Sequence, residues 1–362
     1  MKIIFFSNSM WSIYNFRRNL ITKFIDKGYL IYILANKDNY YDKLSKLGCK
    51  FINIEFKRRN INLFSELFLL FKLIFLLNKY KPNYLLNFTI KPILIGGLAS
   101  RILKIKYIST ITGMGKMFTN KNNNSILGRI LYRITNKKAY KVFVQNKHDL
   151  SYFLNDIAIS KNQLKLIPGS GVDTDYFYES AYPKIKNKII FTNISRLIKD
   201  KGIDEYLESA KIIKEKYNNI EFNLIGSEEN EKKLTKKVKL YNKKSIINYY
   251  GHIDDVRKFI EKSHCVILTS YREGMPRSLL ESSSMARPFI STNCIGSNEL
   301  LLNNVNGIEC NIKSVQSIVN AIEKFISLTF EDKRLLGKNA RGIVLNKYKQ
   351  EIIISEFIRI IN

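Results

Sequence analysis

The chain repeats one motif, an apolar strand followed by a turn and a helix, and does so in two runs separated by an interruption. Residues 2–6 read as a strand. Residues 14–27 read as a helix, because Phe16, Leu20 and Phe24 recur on one face and Gly28 follows. Strands at 30–35 and 50–55 flank a helix at 40–47 that Gly48 closes. Residues 62–79 form a long apolar helix stopped before Pro82, and strands follow at 84–88, 107–111, 141–145 and 164–168. Residues 177–188 break the period and are expected to be a linker. The alternation then restarts with strands at 189–194, 220–225, 246–250, 265–269, 288–291 and 307–310. Helices are expected at 202–217, 228–242, 314–328, 331–346 and 349–361. Such alternation commits each run to an α/β fold, a doubly wound parallel sheet with helices on both faces. Ligands then bind at the carboxyl ends of the strands.

Length agrees: 362 residues suffice for two such domains. The formal charge of +29 is uneven. Residues 1–170 hold 29 Lys and Arg against 7 Asp and Glu, a net of +22, which leaves +7 for the rest. No carboxylate occurs between Glu66 and Asp149. An AT-rich genome would raise lysine evenly, so the asymmetry calls for an anionic partner of the first half. The four cysteines are far apart and only three histidines are present, a poor basis for a disulfide framework or a zinc site. Met1 runs straight into a strand, so no signal peptide is expected. The most apolar stretch, LFSELFLLFKLIFLL at 63–77, is interrupted by Glu66 and Lys72, so no transmembrane helix is expected either.

Two segments carry chemistry. SYREGMPRSLLE at 270–281 follows a strand, and Pro276 suits the first turn of a helix. The N–H groups of Arg277, Ser278 and Leu279 would then favour a phosphate at that helix end. Glu281, further along, can accept two hydrogen bonds from a diol such as ribose. SRLIKDKG at 195–202 also follows a strand and opens a helix, and there Arg196 and Lys201 can bind a diphosphate. Alone, the first segment is equally readable as a capping carboxylate with a solvated glutamate, and the second reads better as a solvated basic turn.

Together, Arg196 and Lys201 followed by Glu273 and Glu281 resemble the donor-site motifs of family 4 glycosyltransferases. The resemblance extends to SIYNFR at 12–17, TITGMG at 110–115, VFVQN at 142–146, IPGSGVD at 167–173 and YGHI at 250–253. Within the family, the chain looks like the N-acetylgalactosaminyltransferases that extend undecaprenyl-diphosphate-linked sugars in capsule, O-antigen and glycan-on-lipid synthesis. The resemblance implies the GT-B fold, two Rossmann-like domains facing a central cleft. The expected domains are an acceptor-binding domain at 1–174, on which helix 349–362 packs back, and a donor-binding domain at 175–348.

By motif position, Arg196 and Lys201 would hold the donor diphosphate, with Ser195 and Gly226 beside them. Glu281 would hold the ribose, and Ile253 would contact the base. Glu273, Gly274, Met275 and Pro276 would approach the sugar, with Arg277, Ser278 and Leu279 at the helix end. Arg196, Lys201 and Glu273 are the residues expected to carry catalysis. The loop 7–12 would come near the phosphates or the sugar. Ser9, Asn15, Arg17, Gly113 and Asn146 are the acceptor-side candidates. The implied reaction is retaining transfer from a UDP-sugar, an N-acetylhexosamine by preference, to a polyprenyl-diphosphate-linked glycan. No metal or other cofactor is implied. No base is identifiable, and His148, His252 and His264 read as structural. Asp254 and Asp255 read as a helix start.

Residues 63–77 behind Lys57, Arg58 and Arg59 suggest a helix partly immersed in an anionic membrane surface. The alternative is an ordinary buried helix. Arg17, Arg18, Arg101, Arg129 and Arg133 would extend the basic face. A peripheral protein on the cytoplasmic face of the inner membrane is thus expected. Three rival readings are open: a nucleotide-sugar 2-epimerase on the same fold, a nucleic-acid binder and a non-catalytic binding module. The first half holds few carboxylates for epimerase chemistry, no nucleic-acid recognition motif is found, and the four motif residues argue against a non-catalytic role.

Overall fold

The computed structural model describes residues 1–56, 62–114, 123–185 and 187–362. Lys57, Arg58, Arg59 and Gly115 lie outside the described residues. The chain divides into two compact units, Met1–Ser170 with Ile353–Asn362, and Gly171–Ile352.

The first unit is built on seven parallel strands: β1 (Lys2–Phe6), β2 (Leu30–Ala35), β3 (Lys50–Asn53), β4 (Tyr84–Phe88), β5 (Lys106–Ile111), β6 (Lys141–Val144) and β7 (Leu164–Leu166). Their order is β3-β2-β1-β4-β5-β6-β7, so the winding reverses between β1 and β4. Strand side chains alternate between two apolar layers. Ile3 and Phe5 join α1 (Met10–Asp26), α2 (Tyr41–Lys46) and the end of α13 (Gln350–Ile361), where Ile353, Ile354, Phe357 and Ile361 are buried. Ile4 and Phe6 join the opposite layer, made by α3 (Leu63–Tyr80), α4 (Ile90–Ile102), α5 (Asn123–Asn136) and α6 (Lys147–Asn155).

The second unit has six parallel strands: β8 (Ile189–Ile194), β9 (Ile220–Ile225), β10 (Asn248–Tyr249), β11 (Cys265–Leu268), β12 (Phe289–Thr292) and β13 (Gly307–Cys310). Their order is β10-β9-β8-β11-β12-β13, so the reversal falls between β8 and β11. One layer is formed by α7 (Ile203–Lys216), α8 (Lys232–Lys243) and α11 (Val315–Ser327). The other is formed by α9 (Arg257–Lys262), α10 (Arg277–Ser284) and α12 (Phe330–Lys347).

The crossing points differ from the expected 174/175 and 348/349 because Val172 is already core of the second unit. Its N–H donates to the Tyr348 carbonyl (2.9 Å), and Gln350 N–H returns a bond to the Val172 carbonyl (3.0 Å). The expected linker at 177–188 holds no helix or strand among its described residues, yet Phe177 and Tyr182 are buried. Arg287, fully buried, binds the carbonyl of Ser180 (3.0 Å) and that of Ala181 (2.8 Å). This stretch is therefore wall rather than tether.

Candidate active site

β8 and β11 flank the reversal in the second sheet, and the loops that leave them carry the candidate donor residues. After β8 come Ser195 and Arg196, then one 3-10 turn at Lys199–Lys201. Two glycines let this segment sit where it does. Gly202 has φ +62°, and a Cβ there would lie 2.0 Å from the Thr269 carbonyl oxygen. Only a residue without a side chain lets the turn rest on the end of β11. Gly226, after β9, comes so close to Ser195 that a Cβ would lie 1.8 Å from its carbonyl oxygen. Gly226 N–H donates to the Gly251 carbonyl (2.8 Å), which ties in the loop running to the half-buried Ile253.

Three bonds stitch the basic turn to the loop after β11. The Thr269 hydroxyl donates to the Lys201 carbonyl (2.9 Å), and Tyr271 N–H donates to the Asp200 carbonyl (2.9 Å). The Lys201 ammonium donates to the Glu273 carboxylate, and both side chains are less than one-fifth exposed. Glu273 N–H is fixed in turn on the Ile295 carbonyl (2.9 Å). Two residues 72 positions apart thus meet as an ion pair at the carboxyl end of the sheet.

Gly274 and Pro276 are buried and Met275 half-buried. Pro276 does not enter the first turn of α10. It is the residue just before the helix, at φ −73° and ψ 106°, and has no side-chain acceptor for the first-turn N–H groups. Those groups, of Arg277, Ser278 and Leu279, have no acceptor within the helix. Leu279 supplies backbone only, because its side chain lies in the core. Glu281, one turn in, accepts from Arg277 Nε (2.7 Å), and Arg277 Nη1 also reaches the Gly171 carbonyl (3.2 Å). Burial pushes the Glu281 carboxyl above the usual glutamate range, and the Arg277 guanidinium pulls it partly back.

Arg196 is not drawn into this cluster. Its ion-pair partner is Glu229 (3.3 Å), and its side chain is 43% exposed. Beside it, Lys199 N–H donates to Glu231 Oε2 (2.9 Å), and Leu197 bridges to Glu228. The helix expected from residue 228 therefore begins only at Lys232. Two carboxylates that would have opened it, those of Glu229 and Glu231, are spent on the basic turn. Sequence reasoning missed Glu229, Glu231 and Thr269, and an acidic run after a strand near a basic turn was the available signal.

The remaining titratable candidates fall outside this cluster. His264 is buried, Nδ1 accepting from Ile190 N–H (3.0 Å), and burial lowers its pKa to about 4. His148 lies 3.7 Å from Asp149, and His252 lies 3.1 Å from Asp254; both are half exposed. Asp255 sits two residues before α9 and accepts from Arg257 N–H (3.1 Å), and its hydrogen bonds with Arg257 lower its pKa. Among the described residues no three His, Cys, Asp or Glu side chains gather as a metal site.

The acceptor-side candidates are mostly committed to the fold. Ser9 caps α1, its hydroxyl accepting from Ser12 N–H (3.2 Å). Asn15 donates to the Trp11 carbonyl (2.9 Å). Asn146 is buried as the cap of α6, accepting from Asp149 N–H (2.7 Å). Arg17 is not on an exposed basic face. It is buried, with its guanidinium 4.7 Å from the Phe88 ring centre, because α1 turns it towards the sheet. Gly113 is half-buried at φ +128°.

Two family domains account for most of the chain. Glycosyl transferases group 1 matches residues 177–342, and Glycosyl transferase 4-like matches residues 2–146. The chain thus carries a group 1 and a 4-like glycosyltransferase domain. One relative of this glycosyltransferase is the N,N'-diacetylbacillosaminyl-diphospho-undecaprenol α-1,3-N-acetylgalactosaminyltransferase of Campylobacter jejuni. It is 26% identical over 99% of this chain and 98% of its own length. Another is the UDP-Gal:α-D-GlcNAc-diphosphoundecaprenol α-1,3-galactosyltransferase of Escherichia coli, 25% identical over 80% of this chain and 78% of its own. A glycosyltransferase structure from Rickettsia africae superposes with TM-score 0.80 at 19% identity, covering 99% of this chain and 97% of that one. Anabaena HepE in complex with UDP-glucose gives TM-score 0.81 at 16% identity, covering 99% of each chain. The fold is GT-B, with two Rossmann-like parallel-sheet domains.

Proposed function

We propose that this glycosyltransferase moves a sugar from a UDP-activated donor to a polyprenyl-diphosphate-linked glycan, with retention of configuration and without a bound metal. The observation that carries the donor side is the meeting of Lys201, Glu273, the start of α10 and Glu281 at the carboxyl end of one sheet. The relatives from Campylobacter jejuni and Escherichia coli, named for undecaprenyl-linked acceptors, support the acceptor side. The N-acetylhexosamine preference rests on the Campylobacter relative.

The chemistry follows from charge. As the sugar–phosphate bond breaks, negative charge grows on the leaving diphosphate while the sugar becomes oxocarbenium-like. Lys201 and Arg196 present permanent cations to the diphosphate, and the N–H groups at the start of α10 add aligned dipoles. Fixed groups of this kind stabilise the transition state more than the ground state. Glu273, fixed at its backbone on Ile295 and at its carboxylate on Lys201, borders the sugar. Glu281, pre-oriented by Arg277, accepts from the ribose hydroxyls, and Ile253 lies against the base. The departing phosphate takes the acceptor proton, in keeping with a Glu273 carboxylate already held by Lys201. The test is incubation of sugar-loaded polyprenyl-diphosphate with a panel of radiolabelled nucleotide sugars. Label should enter the lipid fraction from one or more UDP-sugars and not from GDP-sugars. Label from GDP-sugars alone would overturn the reading.

A further inference from the structure

The layer formed by α3, α4 and α5 covers one face of the first sheet, and its outer surface is unusual. Along α3, Leu69, Leu73 and Leu77 are buried. On the opposite side of the same helix, Phe64, Leu67, Phe68, Phe71 and Phe75 are exposed, the four phenylalanines by at least two-thirds. At 100° per residue these five positions fall within a stripe about 100° wide. A helix that merely closes a sheet would put polar residues there. On α5, Ile126, Ile130 and Ile134, spaced four apart, are also exposed. α4 packs against both helices, and Ile102 at its end is exposed as well. Basic residues of the same three helices and of the turn after α5 are also exposed: Lys79, Arg101, Arg133, Lys137 and Lys138.

We infer that this face docks on an anionic lipid bilayer, the α3 phenylalanines entering the interface while the basic residues meet the headgroups. Two observations choose lipid over a second copy of the chain. Residues 67–148 contain no Asp or Glu, so two such faces brought together would place like charges in contact. The apolar stripe is mostly aromatic and confined to about 100° of the helix, the pattern of an interfacial helix rather than a spanning one. Among the described residues no helix is long and apolar enough to cross a membrane. The α3 helix is therefore both of the things its sequence suggests, with a leucine face in the core and a phenylalanine face outward. The inference rests on the acceptor being a lipid-linked molecule, yet vesicle binding needs neither donor nor acceptor, so each reading can fail alone.

The experiment is co-sedimentation of the full chain with vesicles of phosphatidylglycerol and phosphatidylethanolamine, compared with phosphatidylcholine vesicles, at about 0.15 M salt. The wild type should bind the anionic vesicles at least tenfold more tightly. The double variant Phe68→Glu/Phe71→Glu should lose at least tenfold of that binding while keeping its thermal midpoint and its transfer to a water-soluble diphosphate-linked acceptor. Equal binding to both vesicle types, or unchanged binding by the double variant, would overturn the inference. So would a concentration-dependent dimer in analytical ultracentrifugation that the double variant abolishes.

Discussion

The two units share a winding pattern and differ in what they do with charge. Met1–Ser170 with Ile353–Asn362 carries +22 of the net +29, and Gly171–Ile352 carries +7. Among the described residues of the first unit, most basic side chains are exposed, and α3 and α5 also expose phenylalanines and isoleucines. In the second, two key cations are part-buried on carboxylates, Lys201 on Glu273 and Arg277 on Glu281, while the more exposed Arg196 pairs with Glu229. Excess surface charge suits a broad anionic partner whose geometry varies. Paired, part-buried charge suits one small ligand held in one pose, because each partner fixes the rotamer of the other. On this account the first unit reads a surface and the second reads a molecule.

The comparison breaks most sharply at Lys201. Lys201→Ala should lower kcat/KM for the nucleotide sugar about 10²–10³-fold, by analogy with loss of one oxyanion donor. Vesicle binding should be untouched. Steady-state kinetics beside co-sedimentation separates the two, and a variant that lost both would blur the division. Arg277→Ala should weaken UDP about tenfold in calorimetry, or ~1.4 kcal/mol, because Glu281 loses the guanidinium that orients it. Arg133→Gln should reduce anionic-vesicle binding about fivefold, near 1 kcal/mol for the one surface charge lost, with UDP affinity unchanged.

The smallest effect concerns pH. The Glu281 carboxyl lies above the usual range, so in the folded protein it takes up a proton at higher pH than an ordinary glutamate near ~4.3. Once protonated it keeps fewer acceptor sites for the ribose. UDP affinity of the wild type should therefore decline with acidification sooner than that of Glu281→Gln, whose amide does not titrate. The difference between the two curves cancels the titration of UDP itself. Parallel curves would contradict the ribose role.

Much of this was legible in the residues. The alternation of strands and helices required parallel sheets, and the recurrence of Phe16, Leu20 and Phe24 marked α1, though not its start at Met10, which Ser9 caps. The donor cluster was legible because its residues stand at fixed distances after strands. Other features depend on tertiary contacts that no local pattern announces. Pairing of Lys201 with Glu273 needs the turn at Gly202 to rest on Thr269. Residues 228–231 look like a helix start until the basic turn claims the carboxylates of Glu229 and Glu231. Arg17 looks like one more surface arginine until α1 turns it onto Phe88. The α3 helix was ambiguous for the opposite reason. A mostly apolar helix leaves periodicity with little contrast, and only the fold distinguishes the leucine face from the phenylalanine face.

The central claim, that the nucleotide is held by the donor segments of the second unit and not by the α3 face, is most directly tested by hydrogen exchange with and without saturating UDP. The account predicts slowed exchange in peptides spanning 195–202 and 270–281, and unchanged exchange in the α3 segment Leu63–Tyr80. Protection confined to residues 1–170, or none in either donor-site peptide, would contradict it.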